Sequence, residues 1–198
     1  MASRNLGIIC GGSGSSKFVT ALKLYLDSSS FKPLFVANVA DNFWHYGLYI
    51  CPDVDILMYS LAGLLDEEKG WGIKNDTSNF LRAYASFHPE QAWFHLGDGD
   101  MALSLRRTEL LSLGWKLTRI TEYFRRCLQI NECIIPATDD DVKTFIRTPN
   151  GKMHLQEFWV KNKGLPHVLG VEQKGSSNAK AGTRLLNGIS RTRPNSSR

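Results

Sequence analysis

The chain has 198 residues, 42% of them hydrophobic, which suits one domain with a proper core and excludes a multidomain or fibrous protein. Its formal charge of +5 hints at nucleic-acid binding only until the charge is located. Five basic residues and no acid fall after residue 179 (Lys180, Arg184, Arg191, Arg193, Arg198), so the rest is neutral, with 19 basic and 19 acidic residues, and no nucleic-acid face is expected.

Cys10, Cys51, Cys127 and Cys133 lack the paired spacing of a zinc site. Cys10 and Cys127 lie in apolar patterns, which predicts buried thiols. The apolar start LGIIC is too short for a signal peptide, and the run Ile56 to Leu65 is far short of the roughly 20 residues that span a bilayer. These features predict a reduced, cytoplasmic protein with no membrane partner.

Leu6 to Cys10 reads as a buried strand feeding Gly11-Gly12-Ser13-Gly14-Ser15-Ser16-Lys17. Lys17 to Leu26 carries Phe18, Ala21, Leu22, Tyr25 and Leu26 at helical spacing, and Leu34 to Val39 is a second buried run after Pro33. Strand, glycine loop, helix and strand make a βαβ unit, hence an α/β fold with a parallel sheet. The loop suits phosphate, because glycines let the backbone approach closely and a helix start offers free N–H groups. It is not a Walker loop, since no Ser or Thr follows Lys17, nor GxGxxG, since Lys17 stands at the third glycine. Asn38 replaces the ribose-binding acid at the second strand's tip, so a nicotinamide dinucleotide is disfavoured.

Asp41 to Asp55, DNFWHYGLYICPDVD, joins three carboxylates to Phe43, Trp44, His45 and Tyr46. Aromatic faces beside acids suit a flat ring held near a metal-bound phosphate; taken alone, though, the stretch reads more readily as a loop whose aromatics plug the core and whose acids face water. Helices are predicted at 54–65 with Asp53 as N-cap, 77–87, 101–113, and 117–128 with Thr118 as cap. Between them WFHLGDGD interleaves Gly97 and Gly99 with Asp98 and Asp100, without the distal Glu of a calcium loop. From Cys133 strands are predicted: CIIPAT, then Asp139 to Asp141, 142–147, a turn at Pro149-Asn150-Gly151, 153–160 and 168–171. This half reads as antiparallel.

GGSGSSK, NVADNFWHYGLYICPDVD, GWGIKNDTSNFL, WFHLGDGDMA, LRRTELLSLG, PATDDDVKT and HLQEFWV resemble, in order over about residues 5–175, the motifs of the 2-phospho-L-lactate transferase family of coenzyme F-420 biosynthesis. The resemblance implies a Rossmann-like three-layer fold with a mostly parallel sheet, a helical insertion and an antiparallel hairpin region. It implies transfer of a phospholactyl or phosphoenolpyruvyl group from a guanosine-diphosphate-activated donor to the deazaflavin Fo, with release of GMP and Mg²⁺ as cofactor. Asp41, Asp53 and Asp55 match its catalytic acids, Asp41 and Asp53 as metal ligands. Trp44, His45, Asp55, Thr77, Asn79, His95 and Arg107 match substrate-binding positions, and Gly11, Gly12, Gly14 and Lys17 the nucleotide-diphosphate loop. Asp98, Asp100, Thr108, Asp139, Asp140 and Gln156 are weaker matches. The chain departs at Asn42, where the family has a second acid, and at Gly99, where it has arginine. It further implies a transferase domain over 1–179, a missing C-terminal segment of the family fold, and a homodimer; residues 180–198 read from their Ser/Arg/Asn composition as a disordered tail. A non-catalytic relative that binds nucleotide or deazaflavin without turnover stays open.

Overall fold

A computed structural model describes residues 4–27, 31–182 and 185–187. β1 (Arg4–Cys10), α1 (Gly12–Asp27) and β2 (Phe31–Ala37) form the predicted βαβ unit, with β1 parallel to β2 from Arg4↔Phe31 to Cys10↔Ala37. β5 (Cys133–Pro136) adds to the other side of β2, also parallel, so the order is β1-β2-β5. Pro33 lies inside central β2, yet β5 reaches only to Leu34, so the missing N–H falls where one neighbour is absent.

The connection from β2 to β5 carries the helical insertion. β3 (Phe43–His45) and β4 (Leu48–Ile50) form a hairpin whose loop residues Tyr46 and Gly47 both have positive φ, as a two-residue primed turn requires. α2 (Pro52–Ala62), α3 (Asn79–Ala85), α4 (Asp98–Ser112) and α5 (Leu117–Cys127) follow. β6 (Lys143–Thr148), β7 (Gly151–His154) and β8 (Gly170–Lys174) form an antiparallel sheet ordered β7-β6-β8, closed at the predicted Pro149-Asn150 turn.

Alternation along the parallel strands separates two cores. Phe35, Ala37 and Ile134 pack with Val54, Leu57, Met58 and Leu61 of α2 and Leu117, Ile120 and Phe124 of α5. Leu34 and Ile135 face the opposite side and meet Leu185. A third cluster joins Phe43, Leu48 and Ile50 to Leu96 and Met101.

Several expectations change. α1 starts at Gly12, five residues early, so Ser13 to Lys17 are helix and not loop. Its buried residues among those described are Ser16 and Val19, while Phe18 and Tyr25 are exposed. Asp53 does not cap α2: Cys51 is the N-cap and Pro52, with φ preset for a helix, opens it. Lys116, not Thr118, occupies the N-cap of α5. The strand predicted over 153–160 ends at His154, and a π-helical turn covers Glu157–Lys161. There the i,i+4 pair Glu157–Lys161 (3.2 Å) and the lone buried Phe158 suit a helical turn better than a pleat. Cys127 is exposed, because it sits on the outer face of the last turn of α5; Cys10 is buried as expected. The tail expected from residue 180 begins in contact with the domain. Ala181 bridges Thr138, the Lys180 carbonyl accepts from the Thr138 hydroxyl at 2.7 Å, and Leu185 is buried. Residues 183–184 and 188–198 of that tail lie outside the described residues.

Candidate active site

The C-terminal ends of β1 and β2 deliver Gly11, Gly12 and Asn38 to one place, and the first turn of α2 brings Asp53 against them. Gly12 has φ +71, a region other residues rarely adopt, and its N–H donates to Asp53 Oδ1 at 2.6 Å. α1 has no acid in its own first turn, so Asp53 supplies the negative charge its N-terminus favours. A Cβ at Gly11 would lie 3.1 Å from Asp53 Oδ2 and from Asn38 Cβ, which keeps this approach glycine-specific.

Asn38 ties two acids together. Its Oδ1 accepts from the Ala40 N–H (3.1 Å), which turns its Nδ2 to Asp53 Oδ2 (2.8 Å) and Asp41 Oδ1 (3.4 Å). The other oxygen of Asp41 accepts from Gln156 Nε2 at 2.8 Å, just after β7. Burial, then the charge of Asp53, pushes the Asp41 carboxyl up to about 7; burial raises Asp53 as well. Two carboxylates buried at one place, one raised by the charge of the other, are what a divalent cation relieves, and Mg²⁺ commonly takes one or two carboxylates plus phosphate oxygens. Among the described residues no group of three His, Cys, Asp or Glu converges for a metal, so the remaining ligands would have to be substrate oxygens or water.

Asp55, two residues on from Asp53 in α2, is buried and pairs with Arg107 of α4. Arg107 is 1% exposed and also donates to the Tyr49 carbonyl at 3.1 Å. Burial raises the Asp55 carboxyl to about 6 despite the guanidinium. Arg107 thus orients Asp55 and has no free face for a substrate.

Asp41 and Asp55 bind protons more tightly folded than unfolded. That contribution is fully present below the ordinary carboxylate range of about pH 4 and is lost as pH rises through about 6 to 7. The midpoint of thermal unfolding in EDTA is expected to fall between about pH 5 and pH 8. Burial lowers His45 and His154, which act in the opposite sense over this span, so a midpoint that climbs means that the histidines outweigh the acids.

The other predicted residues are engaged elsewhere. His45 is buried among Phe43, Tyr46, Trp93 and Phe94, with Nε2 2.9 Å from the Gln91 carbonyl. The aromatic stretch is therefore mostly core; Trp44 alone of it is largely exposed, at 56%, against Tyr49. Thr77 Oγ1 and Asn79 Nδ2 donate to Asp98 Oδ2 at 2.5 and 3.1 Å, and the N–H groups of Asn79 and Phe80 also donate to that carboxylate. Asp98 is thereby held down to about 2, chiefly by the Thr77 hydroxyl. His95 is exposed, edge-on to Trp71. Gly14 and Lys17 lie exposed in the first turns of α1. The sequence reading took Asn38 only as a missing acid and gave no site role to Asp76, whose carboxylate accepts from the Gly99 N–H at 2.9 Å.

Asp76 also explains two glycines. A Cβ at Gly97 would lie 2.1 Å from Asp76 Oδ2 and 3.0 Å from Asp76 Cβ, and one at Gly99 3.0 Å from Asp76 Oδ2. The place of an arginine at 99 is taken. Gly97→Ala is expected to destabilise the fold by about 1–3 kcal/mol in urea unfolding, because the clash reaches the Cβ of Asp76 and not only its tip. Gly7→Ala, with open space around it, should show no such loss.

A sequence model described as 2-phospho-L-lactate transferase CofD matches residues 7–192, beyond the 5–175 over which the motifs are legible. A phosphoenolpyruvate transferase of Nocardia farcinica is 33% identical over 90% of this chain and 55% of its own length. The 2-phospho-L-lactate transferases of Methanosarcina acetivorans and Methanococcoides burtonii are 36% and 32% identical over 90% and 92% of the chain, and 57% and 58% of their own lengths. The chain thus spans somewhat over half the length of these curated relatives. A crystal structure of a Bacillus halodurans protein of the UPF0052 family shares the fold, with a TM-score of 0.55 at 16% identity over 94% of this chain and 55% of that one. Among the described residues no helix is long and apolar enough to cross a membrane. With the family model matching residues 7–192 and a relative 36% identical over 90% of the chain, the chain belongs to the 2-phospho-L-lactate transferase family.

Proposed function

We propose that the chain transfers a phospholactyl or phosphoenolpyruvyl group from a guanosine-diphosphate-activated donor to the terminal ribityl hydroxyl of Fo, releasing GMP. The observation that carries this reading is Asp53, whose carboxylate meets the N-terminus of α1 on one side and, through Asn38, Asp41 on the other. A helix start beside a carboxylate pair suits a diphosphate bound together with a cation. Asp41 and Asp53 would hold Mg²⁺, which supplies neutralisation of the charge gathering on the departing GMP phosphate. The first turns of α1, with Lys17, would take the diphosphate oxygens. Asp55 would accept the proton of the attacking hydroxyl: Arg107 fixes its Oδ1, and a carboxyl near 6 suits a base working close to neutral pH. The bond between the ribityl oxygen and the phosphorus beside the lactyl or enolpyruvyl group forms as the bond to GMP breaks, and such transfers depend chiefly on positioning and charge.

The test is to incubate the protein with Fo, activated donor and Mg²⁺ and to measure GMP. Release that exceeds an Asp55→Ala control supports the reading. Binding of Fo or GDP with no GMP above that control would instead mark a protein that binds without turning over.

A further inference from the structure

The antiparallel sheet grips the segment that carries Asp41 on both sides of that residue. From β6 the Thr144 N–H donates to the Ala40 carbonyl at 2.6 Å. From β7, paired with β6 through Phe145↔His154, the His154 ring stacks on Phe43 with centroids 5.2 Å and planes 26° apart. Two residues on, Gln156 reaches Asp41 itself, Nε2 donating to Oδ2 at 2.8 Å. Its backbone is fixed for that reach. The Gln156 N–H donates to His154 Nδ1 at 3.2 Å, and the residue stands at the N-cap of the π-helical turn Glu157–Lys161, a rare form that is frequent at functional sites.

Thr144 and His154 already dock the sheet, so docking alone does not call for the Gln156 carboxamide. What it adds is orientation. Asp41 is buried, with Asn38 Nδ2 on its Oδ1 and Gln156 Nε2 on its Oδ2, so the carboxylate cannot rotate without breaking one of these bonds. The kind of donor matters as much. Asp55 is held by a guanidinium, whose charge offsets its own. Asp41 is held by two carboxamides, which donate hydrogen bonds and carry no charge. It is thus fixed in place with its negative charge intact, the condition a cation ligand needs, since ligating carboxylates are themselves oriented by hydrogen bonds. We propose that Gln156 is a positioning residue: it orients Asp41 for a divalent cation without neutralising it, so that the antiparallel sheet completes a cation site built on the parallel one. The inference rests on the reading of Asp41 and Asp53 as metal ligands.

The test reads cation binding directly: Mn²⁺ is titrated into the full chain, without substrate, and followed by water-proton relaxation. Gln156→Leu keeps the size of the side chain and removes the donor. It should weaken Mn²⁺ about tenfold, the lower end of what losing a partner of a metal ligand costs. Gln156→Lys keeps a donor but sets a positive charge beside Asp41, and should weaken Mn²⁺ at least as much; a contact that served only packing or hydrogen bonding would be restored by lysine. Lys161→Met breaks the pair with Glu157 in the same turn and should leave Mn²⁺ affinity unchanged. In GMP release, half-saturation by Mg²⁺ should rise by the same factor in Gln156→Leu, with the rate at saturating Mg²⁺ largely kept. The proposal is overturned if either Gln156 variant binds Mn²⁺ as the wild type does, or if Lys161→Met weakens it as much as Gln156→Leu. Asp53→Asn separates this failure from that of the metal-site reading. Mn²⁺ lost in Asp53→Asn but undiminished in both Gln156 variants sinks the positioning role alone. Mn²⁺ bound undiminished by Asp53→Asn, or not bound by the wild type, sinks both. Should Gln156→Leu fail to fold, Gln156→Lys decides, because it leaves Asp41 a donor. Weakened Mn²⁺ in both Gln156 variants with no GMP release from the wild type would sink the transfer reading and leave this one standing.

Discussion

Exchanging Asp53 for asparagine is expected to lower Mg²⁺-dependent GMP release by at least about 100-fold, the scale of losing one preorganised charge-stabilising group. The substitution keeps an oxygen for the Gly12 N–H, so the N-terminus of α1 retains its cap. It removes the charge and leaves one partner, Asn38 Nδ2, facing a second amide nitrogen. Asn38 cannot turn over freely to compensate, because its Oδ1 already accepts from Ala40. Stability should therefore fall modestly while cation dependence collapses. Asp66→Asn is the control. Asp66 pairs at the surface with Lys69 at 2.7 Å, and its loss should leave the Mg²⁺ titration unaltered. Equal Mg²⁺ titrations in the two variants would remove Asp53 from the metal site.

The second large effect is on folding. Arg107→Ala strands the buried Asp55 carboxylate and the Tyr49 carbonyl, and breaking a buried pair from one side costs about 3–5 kcal/mol. Against a total of about 5–15 kcal/mol that is a large share, equivalent to roughly 10 °C in a chain of this size. The double variant Arg107→Met/Asp55→Leu removes both charges and should recover most of the loss in urea unfolding. It should stay inactive, since Asp55 is gone. A double variant as unstable as Arg107→Ala alone would mean that Arg107 acts through its packing over Phe124 (5.9 Å) and not through Asp55.

What could be read in advance was local. Apolar runs around Gly11-Gly12 mark a βαβ start because period and turn chemistry are written within a few residues, and the turn at Pro149-Asn150 is legible for the same reason. The acids of residues 41–55 stand out by type. Their partners do not. Gln156 lies 115 residues from Asp41 and Arg107 lies 52 from Asp55, and no spacing rule reaches that far. Residues 153–160 misread because alternation over eight positions also fits a helical turn whose buried residue is single. The helical start at Gly12 was hidden because glycine has a poor helix propensity; Asp53, from another helix, offsets it.

Asp98 makes two helices depend on one carboxylate. α3 has seven residues and one buried side chain, Leu81, far too little to stand alone when isolated helices shorter than about 12 residues are marginal. Its N-terminal donors converge on Asp98, the first residue of α4. Residues 77–85 and the start of α4 therefore form one cooperative unit of local opening, whose amide hydrogens exchange together. That unit takes in the end of the WFHLGDGD segment, so its opening would be set by a single polar latch and not by the hydrophobic core.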